Sequence, residues 1–127
     1  MFKNLVFASL FGLSAVVLGA FGAHALKEIL TPEQLVSFET GVRYQMYHAI
    51  VLLFVALFEG FSTKQKQLIN GLFYTGIILF SGSIYLIQLL SISAKSIWFV
   101  TPLGGLLMIG GWLSMIIVFL KNKKNNQ

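Results

Sequence analysis

Four long apolar runs, separated by short polar stretches, constrain this chain more than any other feature of its sequence. The runs occupy residues 5–25, 44–60, 68–90 and 97–120. An α-helix rises about 1.5 Å per residue, so about 20 apolar residues cross the roughly 30 Å hydrocarbon core of a bilayer. Only 10% of the residues are charged, against roughly 25% in soluble domains. The sequence therefore predicts an all-α integral membrane protein, a single four-transmembrane-helix bundle in contact with the lipid bilayer.

The first run also imitates a secretory signal peptide. Lys3 precedes it, and Ala23-His24-Ala25 has the A-x-A form of a cleavage site. The run is longer than the usual apolar region of about 7–15 residues, and it carries small residues at helical spacing, which a discarded signal does not need. We therefore interpret it as a retained span. Small residues let helices approach closely, and we assign this packing role to Gly12, Ala15, Gly19, Ala23, Gly82, Gly104 and Gly111.

The polar stretch between the first two runs, residues 27–43, carries a helix start signal. Thr31-Pro32-Glu33-Gln34 has the pattern of a capping box with proline in the first helical turn. Leu35 and Phe38 then fall on one face. This pattern predicts a short amphipathic helix at the membrane surface, either separate or running into the second span with a bend at Gly41.

The basic residues predict the topology and argue against nucleic-acid binding. The net charge is +5, but the lysines and arginine flank the apolar runs, where they set orientation. Four spans place both termini on one side, which carries Lys3, Lys64, Lys66, Lys121, Lys123 and Lys124; the other side has Lys27, Arg43 and Lys95. We therefore expect both termini, including the polar tail at 121–127, in the cytoplasm of a bacterial cell.

Polar residues near the opposite side form the candidate site. His24 ends the first span and His48 lies in the second, and we expect both in the outer leaflet. The same level is predicted to hold Arg43, Tyr44, Gln45, Tyr85, Gln88 and Thr101. Polar groups in a bilayer need partners, so this cluster is either a site for a ligand, proton or lipid headgroup, or a hydrogen-bonded clasp between helices. We favour the clasp, and the ligand site stays open.

Recognisable catalytic and cofactor motifs are missing from the sequence. Without cysteine there is no disulfide or thiolate metal site. The histidines lack the H-E-x-x-H spacing of a zinc helix, and Gly104-Gly105 follows no strand, as a phosphate loop would. The sequence therefore predicts no enzyme, no metal and no cofactor.

Several short blocks resemble the YgdD/YwdK family of small bacterial membrane proteins. They are Gly19–Leu26, Thr40–Ala49, Phe80–Tyr85, Thr101–Gly105 and Gly111-Trp112. The family often has glycine where Ala25 stands, a mild departure. The resemblance implies a four-span inner-membrane protein with a mitochondrial membrane relative in animals. It implies no activity, because the family is a domain of unknown function.

Three functions from different classes fit these observations, and the least favoured of them is a redox protein that binds a cofactor. Small-residue faces on several spans exceed what one small bundle needs for itself. They favour a non-enzymatic accessory, scaffold or assembly subunit that packs against other membrane-protein subunits or forms a homo-oligomer. The alternative is a small oligomeric transporter or channel whose path is lined by the His24/His48 cluster.

Overall fold

The structure is a computed structural model that describes residues 1–125, and it is all-α. Its helices are α1 (Phe2–Ala23), α2 (Pro32–Leu57), α3 (Thr63–Leu89) and α4 (Val100–Asn125), with one 3₁₀ turn at Leu26–Glu28. All four are long and apolar enough to cross a membrane. The predicted four-helix transmembrane bundle is confirmed. Of the predicted polar tail, residues 121–125 continue α4, and residues 126–127 lie outside the described residues.

Capping boxes fix where α2 and α3 begin. The Thr31 hydroxyl accepts from the Gln34 backbone N–H at 3.3 Å, and the Gln34 side chain accepts from the Thr31 N–H at 2.9 Å. Ser62 and Gln65 repeat the same reciprocal pair at the start of α3. Each box satisfies two backbone donors that a helix start leaves unpaired.

The amphipathic segment after Thr31 is helical but is not a separate surface helix. It forms the first turns of α2, which runs unbroken into the second span, and the only element between α1 and α2 among residues 1–125 is the 3₁₀ turn. Gly41 neither ends nor divides the helix. It lies instead at a close contact between α2 and α3. A Cβ at this position would lie 3.2 Å from both Ile84 and Tyr85 of α3.

The helices pack in chain order, and α2 and α3 form the centre. Across residues 1–125, close backbone approaches join α1 to α2, α2 to α3 and α3 to α4, whereas α1 and α4 do not approach each other. The end of the bundle that holds Met1 also holds the α2–α3 loop, because Met1 lines one pocket with Phe61 and Thr63. The end of α4 lies there as well, since Asn122 donates to Gly60 O at 2.9 Å. We call this the terminal end.

Glycines bring α3 and α4 into backbone contact. A Cβ at Gly104 would lie 2.3 Å from Phe80 N and 2.8 Å from Gly76 O, and a Cβ at Gly111 would lie 2.7 Å from the Phe73 ring. Only glycine permits this approach, which is how small residues join helices in a bilayer. The apolar core lies beside this seam and includes Phe73.

The other small residues with a predicted packing role differ in their surroundings. Ala15 is buried on α1, and a Cβ at Gly19 would lie 3.3 Å from Val42. A Cβ at Gly12 would make only an ordinary van der Waals contact, 3.9 Å from Ala49, and a Cβ at Gly82 would have nothing within 4 Å. Ala23 is exposed at the end of α1.

Candidate functional site

Gln45 links three helices from a buried position on α2. Its side-chain nitrogen donates to Phe11 O of α1 at 2.8 Å and to the Ser14 hydroxyl at 2.7 Å. The Tyr85 hydroxyl of α3 donates to its side-chain oxygen at 2.7 Å. Gln45 is 4% exposed, so both amide donors and the acceptor are paired away from water, as buried polar groups require. We call Gln45, Ser14, Tyr85 and the Phe11 carbonyl the Gln45 cluster.

His48 lies one turn further along α2 and faces different neighbours. Its Nδ1 lies 2.7 Å from Tyr44 O, and Trp112 of α4 donates its indole N–H to Nε2 at 3.1 Å. A ring whose Nε2 accepts is neutral and carries its proton on Nδ1, so Nδ1 donates to the carbonyl. The imidazole also contacts the rings of Tyr44 and Phe73. We call this set the His48 cluster.

Two further hydrogen bonds join helices near these clusters. Ser81 of α3 donates to Gly41 O of α2 at 2.7 Å in a buried position. Ser83 of α3, which is also buried, pairs with the Thr101 hydroxyl at the start of α4. Each bond crosses one helix interface.

The structure therefore divides the eight predicted site residues. It places Gln45 with Tyr85, His48 with Tyr44, and Thr101 with Ser83 in three separate groups. His24 is exposed at the end of α1, where its backbone N–H bonds to Phe21 O.

The remaining two predicted residues lie outside these groups. Arg43 is exposed on α2, and its guanidinium donates to Thr40 of the same helix at 3.4 Å. Gln88 is half-buried near the end of α3. Arg43 and Gln88 are thus apart from the Gln45 and His48 clusters.

A shallow crevice of about 260 Å³ runs between α1 and α3 above Gln45. Its lining includes Ser14 and Tyr85, together with Ile78 and Gly82 on the rim. Because the polar groups at its floor bond to one another, the crevice offers a partner mainly shape and apolar surface.

Several residues that matter in these contacts are not among those predicted from the sequence. The position of Trp112 in the sequence indicates a polar contact. Tryptophan in a span usually lies near the membrane interface, and a tryptophan in the middle of a span needs a hydrogen-bond partner for its indole N–H. Asn70, a lone amide in an apolar stretch, is buried in α3 and is a similar signal. Ser14 gives none, because a serine in a helix also bonds its own backbone, as Ser14 does to Phe11 O. In residues 1–125, no three acidic or histidine side chains converge to hold a metal.

Comparisons with known proteins place the chain in a family. Residues 18–105 match a family described as "Protein of unknown function (DUF423)". A UPF0382 membrane protein of Haemophilus influenzae is 40% identical over 121 residues, which cover 95% of this chain and 96% of that protein. YwdK, a UPF0382 membrane protein of Bacillus subtilis, is 38% identical over 92% of this chain and 95% of its own length.

The UPF0382 inner membrane protein YgdD of Escherichia coli is 34% identical over 94% of this chain and 91% of its own length. No solved structure matches the chain. The likeness extends over nearly the whole length of each relative and agrees with the four apolar helices. This chain is a multi-pass membrane protein that belongs to the UPF0382 (DUF423) family.

Proposed function

We propose that this protein is a non-enzymatic accessory subunit of the bacterial inner membrane that packs through α3 against another membrane protein. The observation that carries the proposal is a pair of glycines on the outer face of α3, which also holds Thr75 and the exposed Ile78 between them. Gly71 and Thr75 are exposed, and Gly82 is half-buried further along the same face. A Cβ at Gly71 or Gly82 would meet nothing within 4 Å. Packing within the chain therefore does not explain these glycines.

Glycine at a lipid-facing helix position lowers the stability of its helix and makes no stabilising contact within the bundle. It destabilises a helix by about 1 kcal/mol relative to alanine. The gain comes when a second helix approaches, because the missing side chain lets the two backbones come close. Gly104 and Gly111 already serve this purpose inside the bundle. Gly71 and Gly82 offer the same geometry to a helix from outside.

The paired polar groups favour an accessory subunit over a transporter or channel. Gln45 and His48 use their side-chain donors and acceptors within the chain. A transporter or channel, the alternative function, needs polar groups that face a path and exchange partners with a substrate. These bonds instead favour clasps that hold the helices in register.

The distribution of lysines supports the orientation of this subunit. Six of the lysines lie at or near the terminal end, whereas Lys27, Arg43 and Lys95 lie toward the other. Short segments rich in lysine stay on the cytoplasmic side. The proposal therefore includes both termini in the cytoplasm, which a reporter fused to either terminus tests.

Affinity purification in mild detergent, followed by mass spectrometry, tests the partner. We expect the wild-type protein to retain a stoichiometric membrane-protein partner and Gly82→Leu to lose it, with the helical circular dichroism spectrum unchanged because the position has open space. Ala20→Leu adds bulk at an exposed position of α1 and is the control that keeps the partner. Recovery of only the monomer, or equal loss in both variants, would refute the proposal; recovery of a second copy alone would replace the partner with a homo-oligomer.

A further inference from the structure

A polar pocket opens at the terminal end between α1, α2 and α3. Its volume is about 370 Å³, and its lining includes Asn4, Thr63, Lys66 and Gln67, together with the amino-terminal Met1. It is separate from the Gln45 and His48 clusters. The residues around it supply a positive charge and several hydrogen-bonding groups at the depth where a helix enters the bilayer.

Lys66 provides the charge within the pocket. Its ammonium group donates to Ala56 O in the last turn of α2 at 2.8 Å, which orients it across the pocket. A lysine ammonium has three donors, so two remain for a ligand. The contact with a helix C-terminus stabilises the ammonium but does not neutralise it. An anion would do so.

Asn70 lies directly beneath this pocket. It is one turn of α3 deeper than Lys66 and Gln67, so all three lie on one helix face. Asn70 is 5% exposed, and neither its side-chain oxygen nor its nitrogen has a hydrogen-bond partner among residues 1–125. One turn deeper again, the Tyr74 hydroxyl donates to Asn4 O of α1 at 3.1 Å. Asn70 is not itself among the residues that line the pocket. Helical side chains lean toward the N-terminus of their helix, so its amide lies below the pocket floor, on the side of Lys66 and Gln67.

A buried amide with both atoms unpaired is rare in folded proteins and calls for a partner. The partner must accept a hydrogen bond from the Asn70 nitrogen, donate one to its oxygen and carry negative charge toward Lys66. A phosphate-bearing ligand fits these requirements. Its phosphate oxygens are strong acceptors and pair well with an ammonium, and a hydroxyl of a glycerol headgroup or of hydrogen phosphate donates to the amide oxygen. The charge of this end favours an anion as well, because it carries six lysines and Glu59 as its acidic side chain.

We propose that this pocket binds a phosphate group, with the phosphate at Lys66 and the Asn70 amide bonding the deepest oxygens of the ligand. A lipid headgroup and free inorganic phosphate share this chemistry. This site does not depend on the partner proposed for α3.

Native mass spectrometry of the protein released from detergent distinguishes these sources. Phosphatidylglycerol is the lipid probe, diacylglycerol is the matched lipid without phosphate, and inorganic phosphate is the soluble probe. We expect phosphatidylglycerol to remain bound and diacylglycerol to be lost. If only inorganic phosphate binds, in a Lys66-dependent way, the site stands and its source is the soluble anion.

Matched variants separate this site from general attraction to a basic surface. Lys66→Met should weaken phosphatidylglycerol binding by about tenfold or more, the effect of losing a charged hydrogen bond. Lys64→Met removes the same charge from an exposed neighbour and should leave binding within about twofold, since exposed charges are screened. Equal loss in both lysine variants would overturn the proposal.

Asn70→Leu keeps the side-chain size in an apolar core and carries the test if Lys66→Met does not fold. We expect it to weaken retention of the phosphate ligand without loss of helical structure. Unchanged binding in Asn70→Leu would mean that the amide holds water only, and this result would overturn the site.

Discussion

The Gln45 cluster allows its contribution to stability to be worked out and tested by a double-mutant cycle. Gln45→Leu removes three interhelical hydrogen bonds, and Tyr85→Phe removes one of the same three. Because the Tyr85–Gln45 bond is lost in both single variants, their effects should not add. The expected difference from additivity is the free energy of the Tyr85–Gln45 bond, which follows from what such bonds contribute in a bilayer.

Interhelical hydrogen bonds in membrane proteins contribute about 0.6 kcal/mol on average and up to about 1.7 kcal/mol. Tyr85→Phe should therefore lower the free energy of unfolding by about 0.6–1.7 kcal/mol. Gln45→Leu, which loses three bonds, should lower it by about 2 kcal/mol or more on the same scale. The double variant should fall short of the sum of the two by about 0.6–1.7 kcal/mol, the shared bond.

Reversible unfolding in mixed detergent micelles, followed by circular dichroism, measures these differences. Tyr47→Phe is the matched control because it removes the same hydroxyl from a tyrosine on α2 that is 54% exposed, and we expect a change within about 0.5 kcal/mol. The clasp is refuted if Tyr85→Phe is as silent as Tyr47→Phe, or if the two cluster variants add to within about 0.3 kcal/mol.

Two further matched pairs test the helix contacts by the same unfolding assay. Gly104→Ala should lower stability by about 1–3 kcal/mol because its methyl group meets the α3 backbone, whereas Gly82→Ala should leave it unchanged or raised; equal effects would contradict the packing. Trp112→Phe should cost about 1 kcal/mol by leaving His48 without its donor, while Trp98→Phe, at a position 71% exposed, should change little. Similar losses in both tryptophan variants would show that the His48 bond contributes nothing specific.

The fold followed from the sequence because its signals are long and redundant. Each apolar run is itself enough to predict a span, and the capping box at Thr31 marks a helix start that the structure contains. The join between the amphipathic segment and the second span was less determined. Gly41 fits both a bend and a close contact, and only the positions of Ile84 and Tyr85 in the structure show that it is a close contact.

The site was predictable as a set of polar residues but not as a set of contacts. Depth along a helix can be read from the sequence, and it grouped Gln45 with His48. Three residues on a helix also turn the side chain by about 60° from the starting direction, so Gln45 faces α1 and α3 while His48 faces α4. The backbone acceptors could not be predicted from the sequence either. Every residue has a carbonyl, and nothing in the sequence distinguishes that of Phe11.

The contacts of α2 explain how so small a bundle holds together where burial of apolar surface gives no net gain. Lipid tails are as apolar as leucine, so helices in a bilayer associate through close packing and hydrogen bonds. From α2, Gln45 reaches α1 and α3, and His48 reaches α4. All three other helices are thus attached to one. Within residues 1–125, α1 and α4 are held from the inside and do not approach each other. Gly71 and Gly82 of α3 are left with open space beside them, as the proposed partner helix requires.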